Sequence, residues 1–431
     1  MSAMFRALAT PNYRIYIAGA FVSNIGTWLQ RVAQDWLVLE LTHSGTAIGI
    51  TTGLQLLPSL LFAPLAGVAA DRFNKHHTLR VTQVAMALPA FLLGFLAITG
   101  AVQAWHVYIL AFVFGIGAAF AAPVRHSFVV ELVGTDDLAN AVGLNSASFN
   151  TARMIGPAIA GFMIAALGGG PVATGWVIVL NATSYLAVLA SLSLLDVAKL
   201  HPAPPARSGR GAVREGLRYL RTRPDLQLIL ATVFFVSTFG MNFQMTSALM
   251  ATETYGKGAG EYGLLGSIMA VGSVVGALLA ARRVRPRLRL VAGSALAFGV
   301  VEIVAGLMPN YVTFAVTLPA LGVTSLTMMT AANASLQMYS SPRMRGRVAA
   351  IYLMVAMGGK PLGSPFIGWI GSVMGARWTF LLGGAISLLG VGLAVLIYAY
   401  THRSAMPAMA PYSGLTSSVD SFRRRASRTR S

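Results

Sequence analysis

Residues 105–124 read WHVYILAFVFGIGAAFAAPV, twenty positions with no acid, lysine or arginine before Arg125 ends the run. A helix needs about 20 predominantly apolar residues to cross the hydrocarbon core of a bilayer, and at about 1.5 Å per residue this run is long enough. Working outward, comparable stretches lie at 14–39, 46–70, 78–99, 139–167 and 172–195. Six more follow at 226–252, 260–281, 289–308, 311–335, 347–372 and 376–400, with the tight join at Pro309-Asn310 as the point where two spans would merge if the reading slipped. The pattern predicts an all-α polytopic membrane protein with twelve transmembrane helices.

Composition agrees. Of 431 residues, 55% are hydrophobic and only 10% charged, where soluble domains carry about 25% charged residues. The absence of cysteine excludes a disulfide scaffold, a thiolate metal site and a cysteine nucleophile. The net charge of +19 would suggest nucleic acid if the basic residues shared a folded polar face, but they lie between long apolar runs.

Their distribution predicts topology instead. The termini and the loops after even-numbered spans hold 27 of the 32 Lys and Arg residues, whereas the remaining loops hold only Lys257 and Arg377; Arg31, Arg153 and Lys360 fall inside spans. Positive charge collects on the cytoplasmic side, so both termini and the 196–225 loop are expected there, facing anionic headgroups, with no nucleic-acid partner. No cleavable signal peptide is expected, since the first run contains Arg31 and Asp35 and leads straight into further spans. The tail 401–431, rich in Ser, Pro and Arg, is expected to be disordered.

The longest internal loop divides the spans six and six. The expected organisation is a first half at 1–195, a linker at 196–225, a second half at 226–400 and the tail, as in transporters built from parallel repeats. The linker opens with the Pro-rich run His201-Pro202-Ala203-Pro204-Pro205. Farther on, Val213, Leu217 and Leu220 alternate with Arg214, Arg218 and Arg221, which suits a helix lying on the membrane surface. Small residues four apart occur at Gly49/Gly53, Gly156/Ala160, Gly272/Gly276, Gly359/Gly363 and Gly371/Gly375. They let helix backbones approach in lipid, and their recurrence in spans 2, 5, 8 and 11 predicts that these four form the contact between halves.

After span 2 comes Gly67-Val68-Ala69-Ala70-Asp71-Arg72-Phe73-Asn74-Lys75. Asp71 ends a helix, where the macrodipole disfavours an anion, so a partner outside its own helix is expected; the alternative is a solvated loop charge. Span 5 contains Gly143 and then Arg153-Met154-Ile155-Gly156-Pro157-Ala158-Ile159-Ala160-Gly161. A Gly-Pro pair there opens the backbone ladder and allows a kink. The first stretch resembles the loop 2–3 signature of the major facilitator superfamily, with Asn74 where that pattern prefers Gly. The second resembles the antiporter signature of its proton-driven exporters, with alanines at 152 and 160 in place of two glycines. Gly26-Thr27-Trp28-Leu29-Gln30, Trp36-Leu37-Val38 and Arg345-Gly346-Arg347-Val348 look like the branch that holds macrolide and enterobactin exporters.

The resemblance covers nearly the whole chain and implies two pseudo-symmetric six-helix halves around a cavity lined by spans 1, 4, 7 and 10, in a bacterial cell membrane. It makes Gly67, Asp71, Arg72 and Lys75 a conformational latch that meets the start of span 11 near Arg345 and Arg347. The position equivalent to Asp71 after span 8 is Ala280, so the latch is one-sided. Ionisable groups at membrane depth suggest function where a partner or a wet cavity exists. Asp35 is the first candidate for proton coupling, because a partly desolvated carboxylate there would exchange protons near neutral pH. Arg31, at i−4, suggests either a neutralised structural pair or part of the same device. Arg153 is expected to hold an anionic substrate group, to pair with Asp35 in one conformation only, or to cap carbonyls freed at the kink. Glu302 in span 9 is a further coupling candidate, less favoured because that span lies outside the expected cavity. Lys360 lies near mid-depth without a firm role.

Trp28, Gln30, Phe239, Asn242, Gln244 and Asn333 are candidate cavity residues, with Met241, Met245, Met328 and Met329 adding adaptable surface. The leading expectation is a proton-coupled exporter of small amphipathic compounds such as drugs, antibiotics or siderophores, working as a monomer with no cofactor. The alternatives are an ion-coupled importer and a non-transporting scaffold or receptor. An enzyme is not expected, since HExxH, GxSxG and P-loop patterns are absent, and His76-His77 is too isolated for a metal site.

Overall fold

Within a bilayer every backbone amide needs an internal partner, so long apolar stretches become helices. The computed structural model describes residues 3–201, 212–281 and 287–401. The Pro-rich part of the linker at 202–205, Arg207, Arg210, Arg282, Arg283, Arg285, the side chains of Val213 and Ala280, and the tail beyond 401 lie outside the described residues. The first half comprises α1 (Pro11–Thr42), α2 (Gly45–Leu61), α3 (Ala63–Arg72), α4 (Lys75–Ile98), α5 (Ala104–Val133), α6 (Leu138–Ala166) and α7 (Gly170–Ser193). A linker helix α8 (Ala212–Arg221) follows. The second half comprises α9 (Pro224–Phe235), α10 (Phe243–Leu249), α11 (Ala259–Ala281), α12 (Leu288–Gly306), α13 (Tyr311–Tyr339), α14 (Arg345–Gly358), α15 (Lys360–Met374) and α16 (Ala376–Thr401).

Taken as columns, these helices coincide with the twelve stretches read from the sequence. Among the described residues, eight columns are long and apolar enough to cross a membrane by length and composition, and the bent pair α2–α3 makes nine. Those that fall short are α1, α6 and α14–α15. All three contribute polar side chains to an internal cavity, and a helix with one wet face does not need an apolar surface all round.

The ends follow from capping residues. Ser44, Asn74 and Asn310 accept hydrogen bonds from the amides of Ala47, His77 and Thr313. The last of these starts α13 just after Pro309, so the tight join separates two helices. Three columns are interrupted. α2 and α3 meet at a 58° bend, α14 and α15 are separated by Gly359, and a π turn at Val236–Gly240 parts α9 from α10. At Gly156-Pro157, where the sequence allows a kink, α6 runs through Pro157 as one helix.

Within the first half, α1 packs on α6 and α7, α4 on α5 and α7, and α2 on α5. Within the second, α11 and α12 pack on α13, and α12 also packs on α16. The halves meet mainly through α2 on α15 and α6 on α11. Both contacts lie on the side opposite the chain termini. There Thr46 donates to Ser372 Oγ (3.0 Å), a side chain at Gly49 would overlap Ser364, and one at Gly161 would overlap Ala259. Spans 2, 5, 8 and 11 therefore form the contact as expected, although not every small-residue pair serves it. Gly272 and Gly276 press on Pro319 and Val323 of α13, and Gly359 and Gly363 on Thr238, all within the second half.

Toward the termini the halves separate. α3 packs on α5, and α14 packs on α8, α9 and α13 while its Gly358 end still meets Leu60 of α2. The first part of α6 presents Val142, Ser146 and Thr151 in exposed positions. The molecule is open on the terminal side and closed on the other. At the linker end, Asn12 exchanges hydrogen bonds with the backbone of Asp196 (2.9 and 3.0 Å). A hydrogen bond from Lys199 holds the Asp196 carboxyl below the usual carboxylate range. As expected, α8 is amphipathic, with Leu220 buried and Arg214, Arg218 and Arg221 exposed.

Candidate functional site

A cavity of about 350 Å³ lies between the halves, behind the closed side. α1 contributes Thr27, Trp28, Arg31, Val32 and Asp35; α6 contributes Phe149, Arg153 and Pro157; α15 contributes Lys360 and Ser364. Residues 240–245, at the break between α9 and α10, form another wall, and the lining also includes Thr52, Gln55 and Leu56 of α2 and Tyr262, Met269 and Ser273 of α11. The break has a clear cause: Asn242 turns its amide back to the carbonyls of Thr238 (2.9 Å) and Phe239 (3.2 Å) and accepts from Ser364 Oγ (2.7 Å). Backbone groups freed by the break are thereby partnered at membrane depth.

The charges expected to matter converge here. Asp35, 6% exposed, Arg31, Arg153 and Lys360 all line the cavity. They do not pair as the sequence suggested. The ion pairs among the described residues are Arg6–Asp137, Lys75–Glu131, Lys199–Asp196, Arg223–Asp225 and Arg347–Glu215, and Asp35 is in none of them. Arg31 lies over the Trp28 ring, 5.2 Å from its centroid, and Trp28 meets Phe149 edge-on at 5.7 Å. Tyr262 of α11 stands against Asp35 without an aligned hydrogen bond to it, and stacks on Trp36 at 6.0 Å. Contact between Asp35 and the opposite half thus runs through a tyrosine that sequence reasoning missed. No signal in the chain links the two positions, because their meeting depends on α1 and α11 crossing.

Of the other candidates, Trp28, Asn242, Gln244, Met241 and Met245 line the cavity, and Gln30, Phe239, Asn333, Met328 and Met329 do not. Gln30 faces α7 and accepts from Asn181, whose own oxygen accepts from Ser184 Oγ. Phe239 belongs to a separate apolar groove with Leu60, Phe234 and Phe366. Asn333 is exposed on α13 and accepts from Gln337 (3.1 Å). Met328 is buried, and Met329 accepts from Tyr352. Glu302, 2% exposed, lies behind Gly240 and beside Gly383, outside the lining, with Oε2 unpartnered. The Gln30–Asn181 pair predicts a stability effect. Asn181→Leu strands the buried Gln30 amide, which costs about 1–3 kcal/mol and should lower the thermal unfolding midpoint; an unchanged midpoint would refute the pairing.

The antiporter-like stretch divides similarly. A side chain at Gly156 would press on Trp28, Pro157 abuts Gly263 and Gly266, and Gly161 meets Ala259 and Gly263, whereas Gly143 has open space around it. The residues expected to form a latch do not meet one another in this structure. Asp71 makes no ion pair among the described residues, Arg72 is exposed, Gly67 has open space, Lys75 binds Glu131 (2.6 Å) on α5, and Arg347 binds Glu215 (2.5 Å) on α8 while Arg345 stays exposed.

A family model described as transmembrane secretion effector matches residues 2–417. The chain is 29% identical over 396 residues to the multidrug efflux pump Tap of Mycolicibacterium fortuitum, covering 88% of this chain and 93% of that one. It is 24% identical over 375 residues to the staphyloferrin A transporter of Staphylococcus aureus, covering 86% and 92%. A crystal structure of a bacterial homologue of the human lysosomal transporter Spinster shares the fold, with a TM-score of 0.66 and 17% identity over 93% of this chain and 99% of that one. The protein is a multi-pass membrane transporter and not an enzyme. With a model match over almost its entire length, this chain belongs to the transmembrane secretion effector family of the major facilitator superfamily.

Proposed function

We propose that this transporter exports small amphipathic compounds in exchange for protons, by rocking its two halves around the central cavity. The observation that carries the reading is Asp35. It is a carboxylate set in the cavity wall, in contact with the opposite half through Tyr262, and it has no ion-pair partner among the described residues. A proton arriving there neutralises the cavity's acid and changes its interaction with Arg31 and Tyr262, which belong to different halves. That difference between protonation states is what biases one orientation over the other. The apolar and methionine surfaces of Trp28, Phe149, Met241, Met245 and Met269 suit ligands of varied shape. The matched relatives, named for drug efflux and for staphyloferrin A transport, support the substrate class. The concentration of basic residues toward the termini supports a cytoplasmic location for both chain ends, so the open side faces the cytoplasm.

The test is reconstitution into liposomes with an imposed pH gradient and a panel of fluorescent drugs. Substrate is expected to move against the proton flow and to stop when the gradient is collapsed. Movement with the protons, or movement indifferent to the gradient, overturns the reading.

A further inference from the structure

The central cavity carries three cationic side chains, Arg31, Arg153 and Lys360, against one carboxylate, Asp35. Charged groups at membrane depth persist where they pair or face a wet, functional space. Here the excess is of one sign. The unpartnered polar atoms of the first-half wall share a second property. Trp28 Nε1, on a side chain only 8% exposed, and Arg153 Nε and Nη2 are all buried, and no acceptor among the described residues reaches any of them. All are donors, and the two residues line the same cavity: Trp28 contacts Phe149, one turn before Arg153 on α6. Leaving buried donors unmet is unfavourable, whereas an ionised acceptor makes the stronger class of hydrogen bond with them.

We propose that Arg153 and the Trp28 indole N–H form an anion-binding subsite in this cavity, so that the transported compounds are amphipathic molecules bearing a carboxylate or a similar anionic group. The guanidinium fork and the indole hold the anion, and Arg31 and Lys360 supply further positive potential from α1 and α15. The apolar part of the ligand rests on Phe149, Met241 and Met269. Asp35 opposes the anion within the same field. The subsite rests on the transport reading above and names the substrate class it serves.

The experiment uses the full chain in nanodiscs of phosphatidylcholine, whose headgroup is zwitterionic, with 2-naphthoate and 2-naphthylmethylammonium as probes matched in ring and opposite in charge. Equilibrium dialysis against empty nanodiscs measures binding. Naphthoate is expected to bind saturably and at least tenfold more tightly than the ammonium probe. Arg153→Gln should weaken it at least tenfold, Trp28→Phe and Lys360→Gln by severalfold, and the exposed-loop control Lys199→Gln not at all. Arg153→Lys should restore part of the loss, and circular dichroism on each variant separates lost binding from lost fold. Asp35→Asn should bind naphthoate more tightly than the parent does. Equal or tighter binding of the ammonium probe, no saturable naphthoate binding, or full naphthoate affinity in folded Arg153→Gln overturns the anion subsite. None of these results touches proton-driven transport, which the liposome measurement decides separately.

Discussion

Gly263→Ala is expected to depopulate the conformation described here about 5- to 150-fold, from an overpacking cost of about 1–3 kcal/mol. A methyl group at that position would overlap the carbonyl of Pro157 and press on Gly161, across the contact between α11 and α6. Those atoms are backbone, so no side chain can rotate away, and the halves must part on the side opposite the termini. In an alternating-access cycle that contact exists in only one of the two states, and its destabilisation shifts the balance toward the other. Gly272→Ala supplies the contrast. Its methyl group would collide with Pro319 of α13 inside the second half, a contact common to both states, and should lower the unfolding midpoint without shifting the balance. The chain has no cysteine, so a pair placed at Thr46 and Ser372, which hydrogen-bond in the closed state, reports closure by cross-linking. Cross-linking should fall at least fivefold with Gly263→Ala and stay unchanged with Gly272→Ala. Equal yields in the two variants would disprove the assignment of the α6–α11 contact as the one that opens.

Asp35→Asn is expected to abolish transport driven by a pH gradient, by about 100-fold or more, while the protein stays folded. Driving a two-state equilibrium from one side to the other takes about 5.5 kcal/mol of differential binding. Among the described residues that line the cavity, Asp35 is the only carboxylate able to supply it. The amide has nearly the same shape and does not titrate, so exchange along a substrate gradient should survive where proton-driven accumulation does not. Asp35→Glu, which restores the acid on a longer stem, should recover part of the activity. Equal accumulation by Asp35→Asn and the parent protein would remove Asp35 from the coupling step.

Much of this molecule is legible along one dimension. The number and order of helical columns, the basic side, the amphipathic α8 and the grouping of spans 2, 5, 8 and 11 follow from local rules: bilayer thickness, small-residue spacing and the distribution of charge. Adjacent residues show where that reading stops. Gln30 and Arg31 are neighbours in sequence, yet one turns to Asn181 on α7 and the other to the cavity. Successive residues point about 100° apart around a helix, and which direction faces water depends on the rotation of the whole helix against its neighbours. The same freedom sends Gly272 to α13 instead of the other half, leaves Asn333 exposed, and brings Tyr262 to Asp35. The sequence by itself determined which segments enter the membrane and which side collects positive charge, because those free energies add up residue by residue along the chain. Only the tertiary structure decided which polar groups share a cavity and which side is closed, because both depend on how separate helices are rotated and packed together.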